Sequence, residues 1–243
     1  MTGTEIFGLY RRVLLRAWPA ALLLALLTSF LVDRLMLQLP DPLDPEALER
    51  LLAFLGSANL WRSLLALSLL SLWPGCALVL CAHKLVGGVA LPAAGGLVAA
   101  LRAYPAALMV ALAYAALAAA GLLLLLIPGL YLAGALQLWV VALMAGDASA
   151  SQSLQSSWRR VRGHWWRSNS MVAVVVVCGL GAGALVSVCA STAVHALTAA
   201  WPLDAPAQRI AALAVSIVVN FVTAPAYPVA LVASYRDLGA PTQ

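Results

Sequence analysis

The chain has 243 residues, 64% of them hydrophobic and 9% charged, with mean hydropathy +0.97 and formal net charge +5. A soluble domain carries about 25% charged residues, so this composition excludes a water-soluble globule and leaves a single polytopic membrane domain over 1–243, with little room for a separate catalytic domain. The basic residues stand beside apolar runs and form no soluble patch, which argues against nucleic acid as a partner.

Taken in chain order, residues 6–16 predict a surface helix with Arg12 and Arg16 four apart. The first span, about 17–37, follows basic residues as a signal peptide would. It ends at Phe30-Leu31-Val32-Asp33-Arg34 without an A-x-A site, so it is expected to stay attached. An outer loop, DPLDPEALER, sets Asp41, Asp44, Glu46 and Glu49 against Arg50. The second span, about 60–85, leads through Gly87-Gly88 and Pro92 to a second surface helix, 95–104, striped by Leu97, Leu101 and Tyr104. Spans three and four, about 105–126 and 128–145, lie in one apolar block, with the turn placed near Pro128-Gly129.

The third surface helix, 149–166, is the clearest. Leu154, Trp158, Val161 and Trp165 recur at helical spacing, with Arg159 and Arg162 pointing elsewhere. The fifth span, about 171–194, holds no charged residue, and the sixth covers about 210–235. The fold predicted is therefore an all-α integral membrane protein of about six transmembrane helices. Amphipathic cytoplasmic helices lie between spans two and three and between spans four and five.

Basic residues are retained inside the cell. With both termini cytoplasmic, the inner segments hold Arg11, Arg12, Arg16, Lys84, Arg102, Arg159, Arg160, Arg162, Arg167 and Arg236. Only Arg34, Arg50, Arg62 and Arg209 fall outside.

Within the spans, Gly179, Gly183, Ser187 and Ser191 form a small-residue ladder for close helix packing. The partner expected is the Ala107, Ala111, Ala115, Ala119 face of the third span, and Gly183→Leu is then expected to lower folded yield. Cys76, Cys81, Cys178 and Cys189 read as packing residues, without metal-ligand spacing. Gln137 and Asn220 read as interhelical hydrogen-bonding residues, and His195 as interfacial. Pro74, Pro128, Gly129, Pro225 and Pro228, with Gln137, Asn220 and Thr223, are the candidate hinge and cavity positions. Trp73-Pro74-Gly75, Ile127-Pro128-Gly129 and Ala224-Pro225-Ala226 echo one another, through either duplicated units or chance recurrence.

No nucleophile motif, metal cluster or paired midplane carboxylates occur, and His83, His164 and His195 are scattered. Catalysis, a metal and other cofactors are therefore not expected. Arg159, Arg160, Arg162 and Arg167 with His164, beside Trp158, Trp165 and Trp166, are the candidate contact to anionic headgroups or to a partner membrane protein. The alternative for these arginines is a role in topology alone.

The stretch Ile127–Arg167 resembles a signature of bacterial polytopic membrane proteins, the YciC-like proteins and the membrane domain beside some glycerophosphodiester phosphodiesterases. Its elements here are Ile127-Pro128-Gly129, Asp147, Ser157 with Arg159 and Arg160, and Gly163-His164-Trp165-Trp166. The resemblance implies a six-span bacterial inner-membrane protein with cytoplasmic surface helices, and no catalytic residue carries over. The function expected is non-enzymatic: envelope maintenance, lipid association or partner scaffolding. One alternative is a transporter or channel for a small or amphipathic solute. Another is a lipid enzyme using Asp41, Asp44, Glu46 or Glu49 with Arg34, Arg50 or Arg62.

Overall fold

Helix α1 (Gly3–Arg16) starts at a capping box, in which the Glu5 N–H donates to the Thr2 hydroxyl and the Thr2 N–H donates to the Glu5 carboxylate at 2.7 Å. The computed structural model describes residues 2–36, 47–92, 94–200 and 204–239, and among these every regular element is helical. Asp41, Asp44 and Glu46, and the side chains of Ser187, Ser191 and His195, lie outside the described residues.

At Ala17 the chain bends by 84° into α2 (Trp18–Met36), so α1 lies across the axis of the helix it precedes. A short α3 (Ala47–Leu55) leads to α4 (Ala58–Val86), begun by Ser57, whose hydroxyl accepts from the Leu60 N–H. Next comes α5 (Gly95–Leu124), a single helix running through Pro105. The surface helix expected at 95–104 is thus the first part of α5. Proline holds φ near the helical value and removes one donor, which is not enough to end a helix continued by alanine and leucine.

The turn after α5 falls at Leu125, the one extended residue before α6 (Leu126–Leu136), three residues ahead of the Pro-Gly pair that the sequence singles out. Glycine makes this hairpin tight. A Cβ at Gly129 would stand 2.5 Å from the Leu122 nitrogen, and one at Gly121 would stand 2.9 Å from the Gly129 Cα. Helix α7 (Trp139–Ala145) follows a break at Gln137-Leu138. The remaining elements are α8 (Ala150–Val161), α9 (Trp165–Ala200), α10 (Ala205–Thr223) and α11 (Ala226–Gly239).

Five segments are long and apolar enough to cross a membrane: Ala58–Val86, Gly95–Leu123, Ile127–Ala145, Trp165–Val186 and Pro206–Gly239. Counting the bent α1–α2 pair makes six. The last of them is broken at Ala224-Pro225.

Burial concentrates at one end of the bundle. Leu9 and Val13 of α1, Cys76–Ala82 of α4, Val141 and Ala142 of α7, Val161 of α8 and Val229–Ala233 of α11 form the centre of one core. Helix α4 touches α1, α2, α5, α7 and α11, whereas α9 packs chiefly on α10 and α11. The described part of the α9 ladder, Gly179 and Gly183, therefore faces α10 and α11 rather than the α5 partner expected from sequence. A Cβ at Gly179 would contact Ala226 and one at Gly183 would contact Thr223 and Val219, while Ala115 and Ala119 of α5 are exposed. Helix α6 turns back on a different face of α5, through the Gly121–Gly129 contact, and leaves Ala115 and Ala119 open.

In lipid each interrupted stretch of helix needs partners for its backbone groups. Side chains from other helices supply them. The Tyr104 hydroxyl donates to the Leu69 carbonyl (2.9 Å), next to the Leu70 carbonyl that Pro74 leaves without its helical donor. Ser157 accepts from the Leu138 N–H (3.1 Å) and donates to the Ala135 carbonyl (2.9 Å), bridging the α6–α7 break. Tyr10 donates to the Val222 carbonyl at the α10–α11 break. The three proline sites thus take different forms. Pro74 lies inside α4, Pro128 in the first turn of α6 and Pro225 between helices. Their local structure lends no support to duplicated units.

Candidate functional site

The segment after α7 turns at Asp147, and two helices converge on that carboxylate. The Tyr235 hydroxyl of α11 donates to Asp147 Oδ2 at 2.6 Å. Arg160 of α8 stands 3.6 Å from the same oxygen, with its guanidinium carbon 4.0 Å from the centre of the Tyr235 ring. A cation shared between a carboxylate and an aromatic face is held in both direction and depth. This contact sets which way α8 faces. Ser153, Ser157 and Val161 are buried against the bundle, and Leu154 and Trp158 pack at its rim. Helix α8 is consequently docked on α5, α6, α7 and α11 through a more polar face than the Leu154–Trp158–Val161 stripe predicts.

Gly163, with φ +87°, makes the turn from α8 to α9 in a conformation that favours glycine. Beyond it the aromatic side chains gather. Trp165 stacks on Tyr131 with ring centres 5.6 Å apart and meets Trp166 edge-on at 4.8 Å, and Trp158 meets Tyr131 edge-on at 5.7 Å. The Trp165 indole N–H donates to the Tyr131 carbonyl at 3.0 Å, pinning α9 to α6. A groove of about 640 Å³ runs along this cluster, lined by Ile127, Leu130, Tyr131, Trp165 and Trp166, with His164 and Arg167 at its polar side. Trp166 is 80% exposed, a large apolar surface left mostly uncovered by the described residues.

The headgroup candidates thus divide. Arg160 is committed to Asp147 and Tyr235, and Arg167 pairs with Asp237 at 2.9 Å. Arg159, Arg162 and His164 are exposed, as is Trp166, whereas Trp158 and Trp165 are half-buried in the aromatic cluster.

The hinge and cavity candidates divide as well. Gln137 donates to Asn169 Oδ1 (2.9 Å), tying the end of α6 to α9, while Asn169 donates to the Trp165 carbonyl within α9. Asn220 donates to the Ser29 hydroxyl (2.8 Å), joining α10 to α2. Asn220 and Thr223 also border a recess of about 360 Å³ with Ser216, Val219 and Tyr227, opposite Gly179 and Gly183. Its walls come from α9, α10 and α11. Pro74, Pro225 and Pro228 are buried, Gly129 is locked in the hairpin, and Pro128 is exposed beside it. Cys76 and Cys81 are buried in the core, while Cys178 and Cys189 are exposed on α9. Among the described residues no three His, Cys, Asp or Glu side chains are grouped for a metal ion.

Three contributors were not singled out from sequence: Tyr10, Tyr235 and the hydroxyl of Ser157 as a backbone bridge. The available signal was a polar tip on otherwise apolar helix faces, since a buried tyrosine hydroxyl needs a partner. Which partner it finds depends on contacts up to 212 residues apart in the chain.

Residues 48–238 match a family model described as a domain of unknown function, DUF7847, a match that contains the whole Ile127–Arg167 stretch. No curated protein and no solved structure matches the chain.

Proposed function

The chain belongs to the DUF7847 family of domains of unknown function, and from that premise we propose that it is a non-enzymatic, lipid-associating protein of the bacterial cytoplasmic membrane, with six spans and both termini inside. The observation that carries this reading is Trp166, four-fifths exposed at the α8–α9 turn beside exposed Arg159, Arg162 and His164. Tryptophan settles at the depth of lipid headgroups, and each arginine near an anionic leaflet adds about 1 kcal/mol of attraction. The likeness of Ile127–Arg167 to YciC-like proteins agrees with this location. Partner scaffolding would use the same face.

The orientation has support from both ends of the bundle. Arg11, Arg12, His83, Arg160 and Arg236 line adjoining clefts at the densely packed end. At the other end Arg209 of α10 pairs with Asp33 of α2 at 2.7 Å, so a basic residue assigned to the outer side has an acidic partner there.

The triple variant Arg159→Gln, Arg162→Gln, Trp166→Ala tests the reading. Native mass spectrometry of protein taken gently from its membrane is expected to show several-fold less co-purified cardiolipin and phosphatidylglycerol than wild type, with orientation unchanged. Unchanged lipid with intact orientation would remove the reading.

A transporter or channel for an amphipathic solute is the second reading, and the recess bordered by Ser216, Asn220, Thr223 and Tyr227 favours it. Its walls belong to α9, α10 and α11, with Val222, Val174 and Val177 exposed nearby, so access from the lipid side suits it better than an aqueous pore. For that reason lipid association is placed first.

A further inference from the structure

At the densely packed end, α1 brings Arg11 and Arg12 against the last turns of α4, and α11 brings Arg236 to the same place. The three arginines line a cleft of about 580 Å³ with Glu5, Gly8, Leu85, Val86 and Gly88. Val86 and Arg236 also line a second cleft of about 440 Å³, which contains His83, Asp147, Arg160 and Tyr235. Among the described residues the carboxylate lining the first cleft is Glu5, which accepts from the Thr2 N–H in the α1 capping box and also feels the Arg236 charge. The Arg12 Nε donates to the Gly8 carbonyl at 3.3 Å, and among the described residues no ion pair joins Arg11, Arg12 or Arg236 to an acid.

Cationic forks contributed by helices more than two hundred residues apart in sequence, with Glu5 the one carboxylate among the described residues lining their cleft, match an anion that presents several oxygens to separate donors. The floor is open as well. Gly8 contributes no side chain, and a Cβ built there meets nothing within 4 Å. Helix α1 lies 84° from α2, so with α2 crossing a bilayer Arg11 and Arg12 would lie near its surface, where the phosphates are, rather than along a span.

We propose that the cleft formed by Arg11, Arg12 and Arg236 binds a phosphomonoester dianion, either the terminal phosphate of a membrane lipid or free phosphate. A monoester is favoured over the diester of an ordinary glycerophospholipid because three guanidiniums face one carboxylate, leaving two charges to be met. These residues are distinct from Trp166, Arg159 and Arg162, so this site and the aromatic face stand or fall separately.

The test uses the full-length chain in nanodiscs containing either dioleoyl phosphatidic acid or dioleoyl phosphatidylglycerol, with bound lipid read by native mass spectrometry after extraction. Phosphatidic acid is expected to be retained in preference to phosphatidylglycerol. Its affinity is expected to fall about 30-fold in Arg11→Gln/Arg236→Gln, from about 1 kcal/mol for each arginine. Gly8→Leu, which narrows the cleft with every arginine intact, is expected to lower retention as well. Displacement of the lipid by excess inorganic phosphate would identify the soluble anion as a ligand of the same site. Absence of displacement would assign the site to the lipid. Equal retention of the two lipids, or an unchanged preference in a double variant that melts like wild type, overturns the proposal.

Discussion

The hydroxyl of Ser157 closes two open backbone groups at once, the Leu138 N–H and the Ala135 carbonyl on either side of the α6–α7 break. Replacing it with alanine leaves a buried donor and a buried acceptor without partners, at a cost of about 1–3 kcal/mol. Ser157→Ala is therefore expected to melt measurably below wild type in detergent, and an unchanged melting temperature would show that the bridge contributes nothing. Asp147 acts at the same scale. It receives the Tyr235 hydroxyl and the Arg160 guanidinium together, so one carboxylate orients α8 against α11. Both residues fall in the stretch whose pattern drew notice in the sequence, and both are engaged within the chain. The residues left facing outward, Arg159, Arg162, His164 and Trp166, are the ones that carry the proposed lipid contact.

Among the helices, glycine contacts separate a rigid pairing from a loose one. A methyl at Gly129 would fall 2.5 Å from the Leu122 nitrogen, within the backbone of the facing helix, whereas one at Gly183 would sit 3.5 Å from Thr223 and Val219 side chains, an ordinary contact. Gly129→Ala is expected to reduce folded yield in detergent several-fold while Gly183→Ala leaves it near wild type. The reverse order would mean that α9, and not the α5–α6 hairpin, governs assembly. The sequence expects Gly183→Leu to lower yield through contact with α5, whereas Gly183 faces Thr223 and Val219 of α10, because small-residue spacing is visible in one dimension and the choice of partner is not. Apolar length was legible, which is why the long helices fall close to their expected positions. Helix ends inside apolar sequence were less so. Pro105 passes through α5, while the break at Gln137-Leu138 has no proline or glycine to announce it. The basic cluster was legible as composition. Its division into committed Arg160 and Arg167 and exposed Arg159 and Arg162 required the positions of Asp147, Tyr235 and Asp237 in space.

For the whole molecule, packing and charge are distributed in the same sense. The densely buried end, where α1, α4, α7, α8 and α11 meet, is also the end that gathers Arg11, Arg12, Arg160 and Arg236. Towards the other end α9 has few neighbours and presents Val174, Val177, Leu185 and Val188 outward. Apolar surface of that kind is at ease in hydrocarbon, where lipid tails replace protein contacts, so the exposed helix is consistent with a bilayer surrounding it. A firm basic base beneath looser spans suits a protein that holds lipids or partners at one membrane face.

A basic base can hold lipids at the cytoplasmic face only if it lies on that side of the membrane, and cysteine accessibility in intact cells measures this directly. In a chain with Cys76, Cys81, Cys178 and Cys189 replaced, single cysteines at Arg162→Cys and Arg209→Cys would be exposed to a thiol reagent that cannot cross the membrane. The arrangement described here predicts labelling at 209 and protection at 162 until the membrane is permeabilised. Labelling at 162 in unbroken cells, with 209 protected, would contradict it.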